Sequence, residues 1–277
     1  MNTDVKKELH PTMAARRVYR LSDLPVWLCS LALLALVLGL WEILVRALDI
    51  SPFILPPPSA ILREWVVSLA TPVLWDHTLV TVLETLLGFV IALVTGVATG
   101  ALLGKNPRLE KILNPFIVTT QVVPKVAIVP LFVLWFGFGL TSKVLVAAML
   151  AYFPILTNTI LGVKSVSHGH RDVMITLNAS RWQTFRNLEL PNAMPYIITG
   201  MEVGIVLAII GAVVGEYLGG TQGLGAMAVK EMNSYNTARL FAVIIHMSIV
   251  GFVFYAAVGV CRRIATPWHE SASPPRS

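Results

Sequence analysis

Charge is scarce in this sequence. Asp, Glu, Lys and Arg make up 13% of its 277 residues, while 56% are hydrophobic and the mean hydropathy is +0.74. Cysteine is nearly missing too. Cys29 and Cys261 sit in or at the end of apolar runs, without metal-ligand spacing, which argues against a disulfide framework or a thiolate metal site. There is no G-x-x-x-x-G-K-[ST] loop to cradle phosphates, and Gly104-Lys105 lacks the first glycine at the required spacing. There is also no H-E-x-x-H, no H-x-x-x-H and no paired-acid motif, so a membrane-embedded enzyme has no residue set to stand on. Basic stripes with interleaved aromatics are lacking, so the net charge of +6 gives no reason to expect nucleic acid.

What is present is oil in long pieces. Runs of about 18 or more apolar residues match the thickness of a bilayer crossed as helix. These runs do not alternate, so helices are expected rather than a closed barrel. The expectation is an all-α polytopic membrane protein with six spans, at about 25–47, 77–104, 111–136, 142–163, 193–217 and 238–261. The start, MNTDVKKELHPTMAARRVYRLSD, is too long and too charged for the n-region of a cleaved signal, so the first run is expected to remain as a helix. Between the first two spans, FILPPPSAILREWVVSLATP is too short and too Pro-rich to cross. Ile61, Trp65 and Leu69 give it one apolar stripe, as in an interfacial helix.

Lys and Arg give the orientation. They gather in the tail 1–24, in the loops 104–111 and 164–192, and at the C-terminal end, at Arg262, Arg263 and Arg276. Six spans put all four segments on one side, which the positive-inside rule makes cytoplasmic, with both termini inside. The expected division is a cytoplasmic tail 1–24, a membrane domain 25–265 and a cytoplasmic tail 266–277.

The longest internal loop on that side contains TLNASRWQTFRNLELP. Ser180 and Gln183 form a capping box, S-x-x-Q, that starts a helix, and Pro191 is expected to stop it. Trp182, Phe185 and Leu188 share one face, with Arg181 and Arg186 away from it. Upstream, RDVMITL suits a second short helix, and Asn178 suits a left-handed break between the two. On pattern alone, such a hairpin could equally pack on its own membrane domain or lie on lipid.

This segment resembles the cytoplasmic EAA loop of membrane subunits of binding-protein-dependent ABC importers, E-A-A-x3-G-x9-I-x-L-P. Aligned on the final proline, the chain has Asp172-Val173-Met174, Asn178, Leu188, Leu190 and Pro191 at the same spacing, although the letters at the acid, both alanines and the glycine differ. Asn is the commonest non-glycine residue at positive φ, so its exchange for Gly keeps the backbone logic. LPPPSAI at 55–61, PKVAIVPLFVLWFGFGLTSKV at 124–144, AYFPILTNTILGV at 151–163, SRWQTFRNLELPNAMPYI at 180–197 and GGTQGLGAM at 219–227 resemble the nitrate/sulfonate/taurine branch. The resemblance covers about residues 25–268.

The resemblance implies a type I importer permease in a bacterial inner membrane. It would work as a homodimer with two cytoplasmic ABC ATPase subunits and an extracytoplasmic solute-binding protein. ATP would be bound by the partner ATPase, and this chain would need no cofactor. Asp172, Asn178, Arg181, Trp182, Phe185, Leu188, Leu190 and Pro191 would couple to the ATPase, with Trp182 and Phe185 as anchors. The solute expected from the branch is a small anion such as a sulfonate, taurine or nitrate. Neutral or cationic heterocycles such as vitamin precursors are the other chemistry that the branch handles.

Ionisable residues at bilayer depth are candidates for the translocation path by default. Lys125 lies between Pro124 and Pro130, where a missing backbone bond opens the helix. It could attract an anion, or pair with Glu84 or Glu42. Glu84, Glu202 and Gln121 are further path candidates, the two acids being equally suited to tie helices together. Glu42 is expected near an interface, Glu216 in water at the outer end of span five, and His246 as an interhelical donor. Gly96, Gly100 and Gly104 form a close-packing face, within the chain or between copies. The competing function is an ion-coupled secondary transporter with Glu84, Lys125, Glu202 and His246 as a relay. No second copy of the Pro-broken span, as inverted repeats would give, is visible.

Overall fold

A computed structural model describes residues 25–266, which are helical throughout apart from short turns. The expected tails at 1–24 and 267–277 lie outside the described residues. Contacts divide the chain into two units, 1–49 and 50–277. In the first, helix α1 (Val26–Ala47) runs through the first apolar stretch, with Glu42 and Arg46 paired one turn apart at 2.6 Å near its end.

The second unit begins with α2 (Pro58–Leu69), then α3 (Pro72–Lys105) and α4 (Pro107–Val122). Each starts with a proline in its first turn, where the missing N–H costs nothing. α5 (Lys125–Phe136) follows α4 at a 90° bend. Then come α6 (Leu140–Lys164), α7 (His168–Thr176), α8 (Arg181–Thr184), α9 (Leu190–Gly219), α10 (Leu224–Asn233) and α11 (Thr237–Ala265). Among the described residues, five stretches are long and apolar enough to cross a membrane, and the bent pair α4–α5, taken as one span, makes a sixth.

Span three is therefore a broken element, not one straight helix. Pro124 disfavours the helical conformation in the residue before it, and Val123 is extended accordingly (ψ 128°). Span two is longer than the sequence suggests, starting at Pro72.

α6 is the centre of the second unit, gripped between α3 and α9. Along α3, Gly88, Gly96, Gly100 and Gly104 face α6; a Cβ at Gly100 would stand 2.6 Å from Thr159 Cβ and 2.9 Å from the Leu156 carbonyl. From the other side, a Cβ at Gly211 of α9 would stand 2.7 Å from Ala147 Cα. The small-residue face of span two thus packs within the chain. Ala147, Ala151 and Ile155 between these helices are fully buried. α2 lies against α11: Ile61 is buried and Leu69 packs on the cluster of Leu74, Leu224, Met227, Ala228 and Val243. Its expected apolar stripe thus has a protein partner.

Gly100→Leu would drive its side chain into backbone and Thr159, and overpacking of this kind costs about 1–3 kcal/mol or more. The detergent-solubilised protein should melt at a clearly lower temperature. Gly259→Ala, at a helical site with nothing within 4 Å, should not lower it. Equal melting of both variants would contradict the close packing of α3 on α6.

Candidate functional site

Two polar constellations stand at opposite ends of the α3–α6–α9 block. The first surrounds the 164–192 loop. Ser167 caps α7, its Oγ accepting from His170 N–H at 3.4 Å. Asn178 breaks the chain with φ 52°, the left-handed conformation expected of it. The capping box is formed: Ser180 N–H donates to Gln183 Oε1 (2.7 Å) and Gln183 N–H to Ser180 Oγ (3.2 Å).

Pro191 does not stop the helix. Phe185–Glu189 form a single π turn, the Leu190 N–H donates to the Phe185 carbonyl, and the chain continues as one helical stretch, Arg181–Gly219. The wider turn spaces the carbonyls so that the proline ring and its missing N–H are accommodated without a break. The sequence offers proline as a terminator; the extra residue of the π turn is what overrides it.

Trp182 is 66% exposed, its ring 5.7 Å from that of Phe185. Phe185 is half-buried, because the Lys105 ammonium at the end of α3 lies over its ring at 4.2 Å. The same ammonium is 2.6 Å from Glu189, which is buried. Ala101, Lys105, Arg181, Trp182 and Phe185 line a shallow depression of about 400 Å³. Asp172 and Arg186 are exposed, whereas Leu188, Leu190 and Pro191 are half-buried, Leu190 packing on the cluster of Val163, Ala193 and Ile197. Lys164 and Glu110 pair at 2.7 Å beside it, and Asn192 donates to Ser165 Oγ at 2.7 Å.

The second constellation fills the opposite end and is almost dry. Glu216, expected in water, is fully buried. Its Oε1 accepts from Thr81 Oγ1 (2.6 Å) and its Oε2 from Gly225 N–H (2.6 Å). Thr81 Oγ1 in turn accepts from Leu224 N–H at 2.8 Å, and His77 Nδ1 from Gly223 N–H at 3.0 Å. Glu216, Thr81 and His77 together therefore clamp the loop: each accepts from one backbone N–H at the start of α10, those of Gly225, Leu224 and Gly223 respectively. Gly223 has φ +102°, and a Cβ there would overlap the Glu216 carboxylate. Beside it, Lys143 pairs with Glu84 at 3.0 Å, both buried.

Lys143, not Lys125, is thus the partner of Glu84. Lys143 is easily missed because it stands at the edge of an apolar run; its offset of one turn into α6 is the available signal. Lys105 and Glu189 are missed for the same reason, as loop charges by pattern alone. Glu202 is engaged by Arg262 across α9 and α11. His246 Nε2 lies 3.0 Å from Thr78 Oγ1, as an interhelical partner should, with Trp75 edge-on to its ring.

Lys125 begins α5 at the bend, half-buried, its ammonium 4.5 Å from the centre of the Phe153 ring. No carboxylate lies within ion-pair distance of it among the described residues. Gln121, one turn before the bend, is exposed. Of the four path candidates, only Lys125 and Gln121 lie in one span, on either side of the α4–α5 bend, and Glu84 and Glu202 lie in separate ion pairs.

Residues 88–263 match the family described as the binding-protein-dependent transport system inner membrane component, and the chain belongs to that family. It is 36% identical over 238 residues to the riboflavin transport system permease protein RibX of Chloroflexus aurantiacus, covering 86% of this chain and 89% of that protein. It is 33% identical over 231 residues to the formylaminopyrimidine transport permease protein ThiX of Halalkalibacterium halodurans (83% and 92%). With the taurine transport system permease protein TauC of Escherichia coli it shares 32% over 246 residues (87% and 89%). A chain from an inward-facing structure of the MetNI methionine ABC transporter matches with a TM-score of 0.57 at 18% identity, over 76% of this chain and 99% of that one, a likeness of fold. The chain is a multi-pass ABC importer permease of the nitrate/sulfonate/taurine branch, a membrane component without an ATPase site of its own.

Removing one partner of a buried ion pair costs about 3–5 kcal/mol, whereas replacing both by apolar or neutral groups of similar size is often neutral. Lys143→Met should therefore sharply lower the melting temperature or the yield of folded protein, and Lys143→Met with Glu84→Gln should recover much of the loss. A double variant as unstable as the single one would contradict the pairing.

Proposed function

We propose that two copies of this chain form the membrane core of an ATP-driven importer, with two cytoplasmic ABC ATPase subunits and an extracytoplasmic solute-binding protein. Both termini and the 164–192 loop then face the cytoplasm, where Lys and Arg concentrate. The observation that carries this reading is the capped α8 presenting an exposed Trp182 just past the left-handed Asn178. A large aromatic left open beside a basic rim is the usual anatomy of an interface anchor. Trp182 and Phe185 would seat in the ATPase, Arg181 would set its orientation, and Asp172, Leu188, Leu190 and Pro191 would frame the segment. ATP-driven closure of the ATPase pair would draw the two coupling segments together and rock the membrane halves outward.

For the solute, a small anion of the sulfonate or taurine kind is supported by Lys125. An ammonium resting on a neutral aromatic face can exchange that contact for an anion without breaking an ion pair. A nitrogen heterocycle is the second reading, favoured by the paired rings of Tyr152 and Phe153, 5.1 Å apart, and by the names of RibX and ThiX.

The test is uptake in proteoliposomes holding the permease, its ATPase and its loaded binding protein. Trp182→Ala should abolish most ATP-driven uptake, since truncating an anchor costs about 2–4 kcal/mol, while the permease alone melts as before. Uptake that survives ATP depletion but not an ionophore would replace this reading by ion coupling. Lys125→Ala should slow uptake of an anionic solute about tenfold, as expected for losing one charge-assisted contact. Unchanged uptake of the anion would remove the argument from Lys125 and leave the heterocycle.

A further inference from the structure

The π turn stands between the α8 aromatics and the long α9, and one side chain from another helix holds both of its ends. Lys105, the last residue of α3, ion-pairs with Glu189 at 2.6 Å and covers the Phe185 ring at 4.2 Å. Phe185 and Glu189 are the first and last residues of that turn. We propose that Lys105 is a positioning residue for energy coupling: it fixes the rotation of α8 about its axis relative to α9, and so the direction in which Trp182 and Phe185 face. The proposal rests on the coupling role given above to the Trp182 segment.

The physical case has three steps. A π turn holds one residue more than the α-helical turn it replaces. Releasing it would turn everything before it by about 100° around the helix axis. Pro191 donates no hydrogen bond just after the turn, so the backbone alone holds this register weakly. Glu189 is buried with a carboxylate facing Lys105, and among the described residues no other cation lies within ion-pair distance of it. The lysine thus offsets the cost of a buried charge at one end of the turn and presses on a ring at the other. Because α3 is locked to α6 by close glycine contacts down to Gly104, the pin is anchored in the rigid part of the unit.

The experiment measures solute molecules taken up per ATP hydrolysed in the reconstituted complex of permease, ATPase and loaded binding protein. Lys105→Met should lower that ratio about tenfold or more while ATP hydrolysis persists. Lys105→Arg, which keeps the charge and can stack on the ring, should keep most of it. The Lys105→Met/Glu189→Gln double variant removes both charges and leaves no orphaned carboxylate, so it folds even where the single variant does not. Its ratio should stay low, because the grip on Phe185 is gone. A wild-type ratio in Lys105→Met, or full recovery in the double variant, would overturn the positioning role. Trp182→Ala separates the two levels. If it couples as well as wild type, the segment itself is not the coupling element. If it uncouples while the Lys105 variants do not, only the pin is wrong.

Discussion

Close approach of α3 and α9 to α6 is the constraint on which the rest depends. Inside a bilayer, lipid tails are as apolar as leucine, so helices are not driven together by escape from water; they are held by van der Waals contact and by polar ties. Glycine brings the backbones near enough for such contacts to be many. On α6, the side chains that meet the glycines of α3 are Ala147, Ile155, Thr159 and Val163, small or β-branched with little rotamer freedom to lose. Fully buried positions gather along this line, and the large exposed apolar side chains lie outside it, on faces suited to lipid or to other subunits.

That close contact explains where charge can be tolerated. Lys143 and Glu84 are drawn into one dry site near one end of the block, and Lys105 and Glu189 meet near the other. Charges in such places are expensive unless paired, so each pair records where two helices must meet. Glu216 is a different case: its carboxylate is satisfied by a hydroxyl and a backbone N–H, and it organises the loop into α10. α4 and α5 contrast with this block. α4 buries no residue and bends by 90° into α5, which buries only Val129 and Val133. Low burial leaves the faces of this bent pair open to lipid or to other subunits.

Much of this was legible in the sequence because it is governed by local rules. Span lengths follow from apolar runs, the capping box from Ser180 and Gln183, and the left-handed turn from Asn178. The misses share one cause, which is tertiary context. Pro191 reads as a helix stop, and only the π turn before it lets the helix continue. Glu216 sits beside Tyr217-Leu218-Gly219-Gly220 and reads as a wet loop residue, because nothing local reveals that α10 folds back over it. Lys105 and Lys143 read as charges at span ends, since pairing with residues 84 and 59 positions away leaves no periodic trace.

The same geometry bears on how a pull at one end could be felt at the other. Arg181–Gly219 is 39 residues of nearly continuous helix, roughly 58 Å at 1.5 Å per residue. One end carries Trp182, and near the other Glu216 grips the start of α10. A lever of this kind transmits force only if its bearing does not slip and its one soft joint does not unwind. The glycine contacts of Gly200, Gly204 and Gly211 with α6 supply the bearing. The soft joint is the π turn, the place where the helix has a residue to spare. It lies at the end of the lever where Lys105 reaches across from the fixed helix, so the joint is braced from outside where its own hydrogen bonds hold it weakly.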